Sequence, residues 1–472
     1  MSSTLRNILM LALVTAVAGS VTAIPEPTTT EQVVEQRAVP GGDGELAAGE
    51  VLPGEGAGGA DAATGATGEA SAAGGAIPAA RAGLECAAGR NGGETDTGVT
   101  GDKIKLASTI VTSGPGATFL GLSRFGMEAV VAKVNAAGGI CGRQLDLTLV
   151  NDNWEAGRGH GYIKNFINGD VFALPVVPSS EGLAAASRDI EAAGIPVVGT
   201  DGMRIGQYDN AWIWPVATAT VSQVRIMAKY AYDNGARSFA IVYDTRYKFG
   251  VEGKDAYEQY VRSLGGATFV HAEGIQPGQP GYGPEIRNLD NACGTDRCDV
   301  VVMLVDPGTA EVWISGDDNY LGRAEFRLGA SPLFNSRFGQ NCRERCDGMV
   351  VFTGYTPPLE GNVNLPGVTT YVDDVRAIKP DIDVTNQFLE GAYLGMSVFV
   401  DALRKVGPDL TRARLKAVLD QMSYASDLSS PLGWTTGQRF ANTKAQAWSI
   451  QAPSSFNGFR DLRTGWLTDP GG

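Results

Sequence analysis

The chain has 472 residues, 43% of them hydrophobic, and a formal net charge of −14. That length can bury large cores and hold two or three domains, and the acidic balance excludes a general nucleic-acid surface. Much of the charge sits in residues 25–96, which carry twelve acids against three bases, Arg37, Arg81 and Arg90.

Residues 1–23 read as a secretory signal: Arg6, an apolar core over 8–18, then Val21-Thr22-Ala23 as a small-residue cleavage site. The core is short for a membrane span, although an uncleaved anchor is the alternative reading. No cysteine follows it, so no lipid anchor is expected. Residues 24–97 are rich in Ala, Gly and acids without apolar periodicity, and read as a disordered linker. An exported protein is expected, outside the cytoplasm or at the cell surface.

From residue 98 strands and helices alternate. A strand over 104–111 ends in Ser113-Gly114-Pro115-Gly116, and a helical pattern runs to Asn135, closed by Gly138-Gly139. Strands follow over 145–150, 172–177, 196–199, 238–243 and 300–305. Helices are predicted over 180–193, 220–234, 253–264, 309–319, 386–406 and 412–422. Residues 434–440 and 447–451 read as closing strands. Short apolar strands between helices of ten or more residues predict α/β architecture, with mostly parallel sheets and helices on both faces. The number of units points to two lobes.

Six cysteines in an exported chain favour disulfides. Cys293 and Cys298 are close enough to close one loop, and Cys342 and Cys346 another. Cys86 and Cys141 remain, both at the same end of the first sheet. The rival reading is a zinc site built from Cys293, Cys298, Cys342 and Cys346.

Several ordered pieces carry a family resemblance. They are Gly98-Val99-Thr100-Gly101-Asp102-Lys103-Ile104-Lys105, Ser113-Gly114-Pro115, the NAAGGICGR run over 135–143, and Val150-Asn151-Asp152. Ala192-Ala193-Gly194-Ile195-Pro196 and Tyr243-Asp244 with Phe249-Gly250 complete the set. Together they resemble the type I periplasmic solute-binding proteins, and within them the branched-chain amino-acid (Leu/Ile/Val)-binding group of ABC importers. The resemblance implies two doubly wound lobes joined by three chain crossings. Lobe one would be 98–217 with 355–428, and lobe two 218–354 with 429–465. A small solute would sit between them and closure would be a hinge motion. It further implies a membrane permease as partner, a monomer, no cofactor and no catalysis.

Ligand contacts are expected from the loops that end the strands. Ser113 and Gly114 follow the first strand, where glycine lets backbone amides approach a solute; an ordinary turn is the alternative. Phe119 resembles a pocket aromatic of the family, or is core. Ser179 and Ser180 precede a helix, where hydroxyls either cap it or hold an anion. Thr200 and Asp201 form the next loop. Tyr247 and Phe249 come from the second lobe. Asp306 either meets a ligand cation or caps the helix after Pro307. Where the amino-acid binders carry an acid for the ligand ammonium, this chain reads Gly329-Ala330-Ser331-Pro332. That departure leaves the solute open between an amino acid and a related polar or amphipathic compound.

Enzymatic motifs are missing: there is no G-x-S-x-G elbow and no phosphate-binding G-x-x-x-x-G-K-[ST]. The two histidines, His160 and His271, have no metal-ligand spacing and read as surface residues. Two alternatives stand beside transport. One is a ligand-sensing receptor using the same cleft; the other, weaker on these motifs, is a hydrolase.

Overall fold

The structure is a computed structural model that describes residue 86 and residues 91–114, 116–295, 297–435 and 439–471. The leader expected over 1–23 lies outside these residues, as does the linker up to residue 90 apart from Cys86.

The chain opens with β1 (Lys103–Ile110), α1 (Ala117–Leu120), α2 (Ser123–Ala136), β2 (Gln144–Asn151) and α3 (Ala156–Asn168). It continues through β3 (Leu174–Val177), α4 (Ser180–Ala193), β4 (Val197–Thr200) and β5 (Ile213–Trp214). β1 pairs with β2, β3 with β4, and β4 with β5, all parallel. A parallel bridge from Leu106 to Ala173 joins the two groups. The order β2-β1-β3-β4-β5 is doubly wound. β3 reads LPVV and is buried throughout, as expected of a parallel strand covered on both faces.

The second lobe is built the same way. It runs through α5 (Thr220–Asp233), β6 (Ser238–Asp244), α6 (Lys248–Ser263), β7 (Thr268–Ile275), α7 (Gly283–Cys293) and β8 (Val300–Leu304). Then come α8 (Pro307–Gly316), α9 (Tyr320–Arg323), β9 (Phe326–Gly329), α10 (Ser336–Cys342) and β10 (Val350–Thr353). The chain then returns to the first lobe as α11 (Pro366–Ile378), α12 (Gln387–Val406), α13 (Arg412–Leu419) and the hairpin β11 (Ser423–Tyr424) with β12 (Leu432–Gly433). It ends on β13 (Lys444–Gln451), β14 (Gly458–Asp461) and β15 (Leu467–Thr468). The second sheet has the order β14-β13-β10-β9-β8-β6-β7, with β15 also on β13. β13 runs antiparallel to β10 and closes the sheet.

α12 is the spine of lobe one. Asn386 caps it, accepting from the Phe388 and Leu389 amides at 3.0 Å each, and the helix lies on α2, β3 and β4. α2 approaches it at Gly126, where a Cβ would stand 2.5 Å from the Leu389 carbonyl oxygen. Three crossings between the lobes are tied by Asn442, which is fully buried. Its Nδ2 donates to the Gly354 carbonyl at 3.0 Å, while its Oδ1 accepts from Ser430 Oγ and from the Lys444 amide, each at 3.2 Å.

Some elements differ from the sequence reading. The helix expected to run to Asn135 is broken at Gly121-Leu122 into α1 and α2. The helix expected over 253–264 starts at Lys248, so Phe249 and Gly250 lie in its first turn rather than in a loop. The cause is Asp244, whose Oδ1 accepts from the Arg246 and Tyr247 amides at 2.7 and 3.0 Å and turns the chain at once. No continuous strand covers the described part of 434–440. There Trp434 is buried in the lobe-one core and Arg439 Nη1 reaches Asp420 Oδ1 at 2.9 Å. The linker read as ending at residue 97 is already fastened from Asn91. The Asn91 amide donates to the Gly101 carbonyl at 2.6 Å and the Cys141 carbonyl at 3.1 Å. Arg143, fully buried, donates to the Gly93, Thr100 and Pro408 carbonyls. Disulfides join Cys86 to Cys141, Cys293 to Cys298 and Cys342 to Cys346, which takes up all four thiols of the rival zinc reading.

Candidate ligand-binding cleft

Loops at the carboxyl ends of both parallel sheets meet, which is where open α/β sheets bind ligands. The side chain that dominates the meeting is Trp154. After β2 ends at Asn151, Asn153 and Trp154 both take left-handed φ, 58° and 62°, which residues bearing a Cβ rarely adopt. Asn151 Oδ1 holds the Asn153 amide at 3.2 Å and Asp152 Oδ1 the Trp154 amide at 2.9 Å. The turn sends the indole against the second lobe. There it stacks on Tyr247, ring centroids 4.0 Å apart and planes 23° from parallel, with Phe249 at 6.0 Å. Phe119 meets it edge-on at 5.6 Å and packs in turn on Phe388 of α12 at 5.3 Å. These five rings belong to one buried apolar cluster that draws on both lobes.

Polar groups edge this cluster. Trp154 Nε1 donates to Ser180 Oγ at 3.0 Å. Ser179 is the buried N-cap residue of α4, and its hydroxyl lies by Asp152. Asp152 is pushed up by burial, partly offset by the Trp154 amide it accepts. Thr200 Oγ1 donates to Gln207 Oε1 at 2.7 Å, and Asp201 Oδ1 accepts from Gln207 Nε2 and the Met203 amide, each at 3.0 Å. Burial pushes Asp201 up to about 6. On the second lobe Asp244 is pushed up to about 7 by burial first and by Asp306 among lesser causes. Asp306, also raised by burial, caps α8, accepting from the Thr309 amide at 3.1 Å and the Thr309 hydroxyl at 2.5 Å.

The structure thus brings together Phe119, Ser180, Tyr247 and Phe249 around Trp154. Thr200 and Asp201 are tied into their own loop, and Asp306 is a cap. Ser113 and Gly114 are exposed, and Ser113 Oγ bonds to the side chains of Asn151 and Asn153. Ser331 offers no acid; its amide takes Gln223 Oε1 at 3.2 Å.

Sequence reasoning missed Trp154, Phe388 and a charged fastening at the cleft rim. Arg204 of lobe one donates to Glu181 Oε2 at 2.9 Å and to Glu252 Oε1 of lobe two at 3.1 Å. Glu252 Oε2 also accepts the Ile205 amide at 2.9 Å. Glu181, a carboxylate in the first turn of α4 beside Ser179 and Ser180, is neutralised by this contact. The one available signal for Trp154 was a tryptophan two residues past Asp152, the residue that closed the resemblance at the end of the second strand.

As chemistry, the arrangement offers packing and hydrogen bonding. Ser180 Oγ faces an indole N–H rather than a base. His160 and His271 lie elsewhere, beside Asp189 at 2.5 Å and Glu273 at 2.7 Å, so each has the carboxylate neighbour that the sequence spacing did not suggest. Among the described residues no group of three or more His, Cys, Asp or Glu could hold a metal ion. A cavity of about 60 Å³ lies between Thr118 and the start of α8 at Pro307 and Gly308. That is far below the roughly 300–1,000 Å³ of small-molecule sites.

Comparison with known proteins decides the family. The family model described as periplasmic binding protein matches residues 103–453, well over half the chain. The chain belongs to the periplasmic binding protein family. By sequence comparison this binding protein matches no curated relative. Solved structures share its fold. A fatty acid ABC transporter substrate-binding protein from Thermomonospora curvata has TM-score 0.70 at 18% identity, covering 80% of this chain and 95% of its own. A branched-chain amino acid ABC transporter protein from Thermus thermophilus with bound valine has TM-score 0.68 at 14% identity, covering 78% and 98%. A solute-binding protein from R. palustris in complex with 4-hydroxybenzoate has TM-score 0.64 at 16% identity, covering 78% and 99%. The binding protein is therefore of the type I periplasmic-binding-protein fold. No helix among the described residues is long and apolar enough to cross a membrane.

Proposed function

We propose that this chain is an exported, monomeric binding protein that closes on one small amphipathic solute and presents it to the permease of an ABC importer, without catalysis. One observation carries the reading. Loops from the carboxyl ends of both sheets converge on a shared cluster of buried rings, Phe119, Trp154, Tyr247, Phe249 and Phe388, edged by the hydroxyls of Ser179 and Ser180. Rings favour an apolar body, and hydroxyls at a helix start favour a polar or anionic end. The three structural relatives are described with a fatty acid, valine and 4-hydroxybenzoate, compounds of that same amphipathic kind. A Leu/Ile/Val preference is less well supported, because no acid stands at Ser331 to receive an ammonium group.

A thermal-shift screen of full-length protein against branched-chain amino acids, aromatic acids, amides and fatty acids tests the proposal. A hundredfold excess over the dissociation constant stabilises by about 2.7 kcal/mol, a readily measured shift. Ser180→Ala and Tyr247→Ala should each reduce it. The proposal fails if no compound shifts the wild type, or if a compound that does so shifts both variants equally.

A further inference from the structure

In its contacts the Trp154 indole does what a bound solute would do. It lies in a buried cluster that draws on both lobes, with 1% of its surface exposed. It stacks on Tyr247, and its rim N–H is taken by Ser180 Oγ at 3.0 Å. Phe119 closes its edge. Phe249 lies on the same side as Tyr247, with its ring centroid 6.0 Å from the indole. Its backbone is equally telling: two successive left-handed non-glycine residues, Asn153 and Trp154, are needed to aim the ring inward. An extended backbone there would relieve the conformation and turn the ring outward.

We propose that Trp154 is a built-in occupant of the ligand seat, holding the lobes together until a solute displaces it. Resting on the binding function proposed above, this assigns the solute class. The seat takes a flat aromatic ring that stacks on Tyr247 and carries a rim N–H or O–H donor for Ser180. The backbone of the 151–154 turn is the hinge of the exchange. Asn151 and Asn153 hold it through side-chain bonds to each other and to Ser113. Ser113 and Gly114, exposed and outside the ring cluster, thereby act on the seat through Trp154 rather than by touching the solute.

A ligand-free experiment and a ligand experiment separate this proposal from the one it rests on. Spin labels on genetically encoded ketone side chains at exposed Lys164 of α3 and Asp255 of α6 report the separation of the lobes without disturbing the disulfides. Full-length protein without solute should give one short distance, and Trp154→Ala a longer and broader distribution. Identical distributions overturn the proposal. For the ligand experiment, 5-fluorotryptophan labels all seven tryptophans, and Trp154→Phe identifies the Trp154 signal. Saturating 4-hydroxybenzoate or indole-3-acetate should move that signal to the position of a solvated ring. Trp154→Ala should bind the same probes at least tenfold more tightly, because affinity is reduced by the fraction of time the seat is closed to solute. Trp154→Phe, which keeps a ring but loses the N–H, should fall between, and serves if the alanine variant folds poorly. An unmoved signal with weaker binding in Trp154→Ala makes the residue a wall of the site and overturns the proposal. Tighter binding of L-valine than of either aromatic probe overturns the assigned solute class. If the variant opens but nothing binds either protein, internal closure stands and the solute-binding function is what fails.

Discussion

Asp244→Asn separates burial of a charge from the geometry around it. Asp244 is fully buried, and its Oδ1 turns the chain into α6 by accepting two backbone amides. An asparagine oxygen can accept the same two bonds but cannot ionise. Burial raises the carboxyl from 3.8 to about 7. The folded protein therefore keeps this proton between about pH 4 and pH 7, where the unfolded chain has already lost it. Wild-type stability falls as pH rises through that window and is flat above it. The penalty reaches at most about 4 kcal/mol at pH 8 and is under about 1 kcal/mol at pH 4. The variant should thus match the wild type near pH 4 and exceed it by roughly 2–4 kcal/mol at pH 8. Urea unfolding of both proteins at the two pH values measures this directly. An offset of the same size at both values would refute the reasoning, since a lost or gained hydrogen bond does not depend on pH. Asp306→Asn should narrow the effect, because the Asp306 charge contributes to the raised value.

Arg204→Ala removes the shared partner of Glu181 and Glu252, all three largely buried. It should cost about 3 kcal/mol in urea unfolding, part of which returns in the triple variant with both glutamates changed to glutamine. Gly159→Ala places a Cβ 2.5 Å from Gly182 Cα and 2.6 Å from Asp152 Oδ2, forcing α3 off α4. A loss of about 1–3 kcal/mol is expected, with faster amide exchange in both helices. Asn442→Ala leaves the Gly354 carbonyl without its donor. It should cost about 2 kcal/mol in chemical unfolding and broaden the interlobe distance of the solute-free protein.

Much of the fold was legible because its signals are local. β8 reads VVVML and is buried throughout, and a run of that kind between helical patterns marks a parallel strand wherever it falls. α3 was not legible: AGRGHGYIKNFIN spends three of its first six residues on glycine. Those glycines weaken helix propensity, and one of them, Gly159, is there because α4 passes directly over it. β7 escaped for a different reason. It lies at the sheet edge, and its residues are mostly half-buried rather than apolar. Among the rings of the buried cluster, Phe119, Tyr247 and Phe249 were named at the outset through the family resemblance. Trp154 was not, because its role depends on two left-handed residues that no periodicity announces.

The sequence by itself determined the alternation of strands and helices, the carboxyl-end loops where a ligand site must form, and the short cysteine spacings that pair in the structure. All of these rest on interactions between residues near each other along the chain. Tertiary structure alone decided that Glu181 is neutralised by an arginine also bound to the other lobe, and that Ser180 faces an indole. Those outcomes depend on how two separate sheets bring loops from distant parts of the chain together. A loop side chain has no partner until that packing exists. Burial then sets both its hydrogen bonds and its charge, which is why Asp244, Asp201 and Trp154 take their character from the closed cleft.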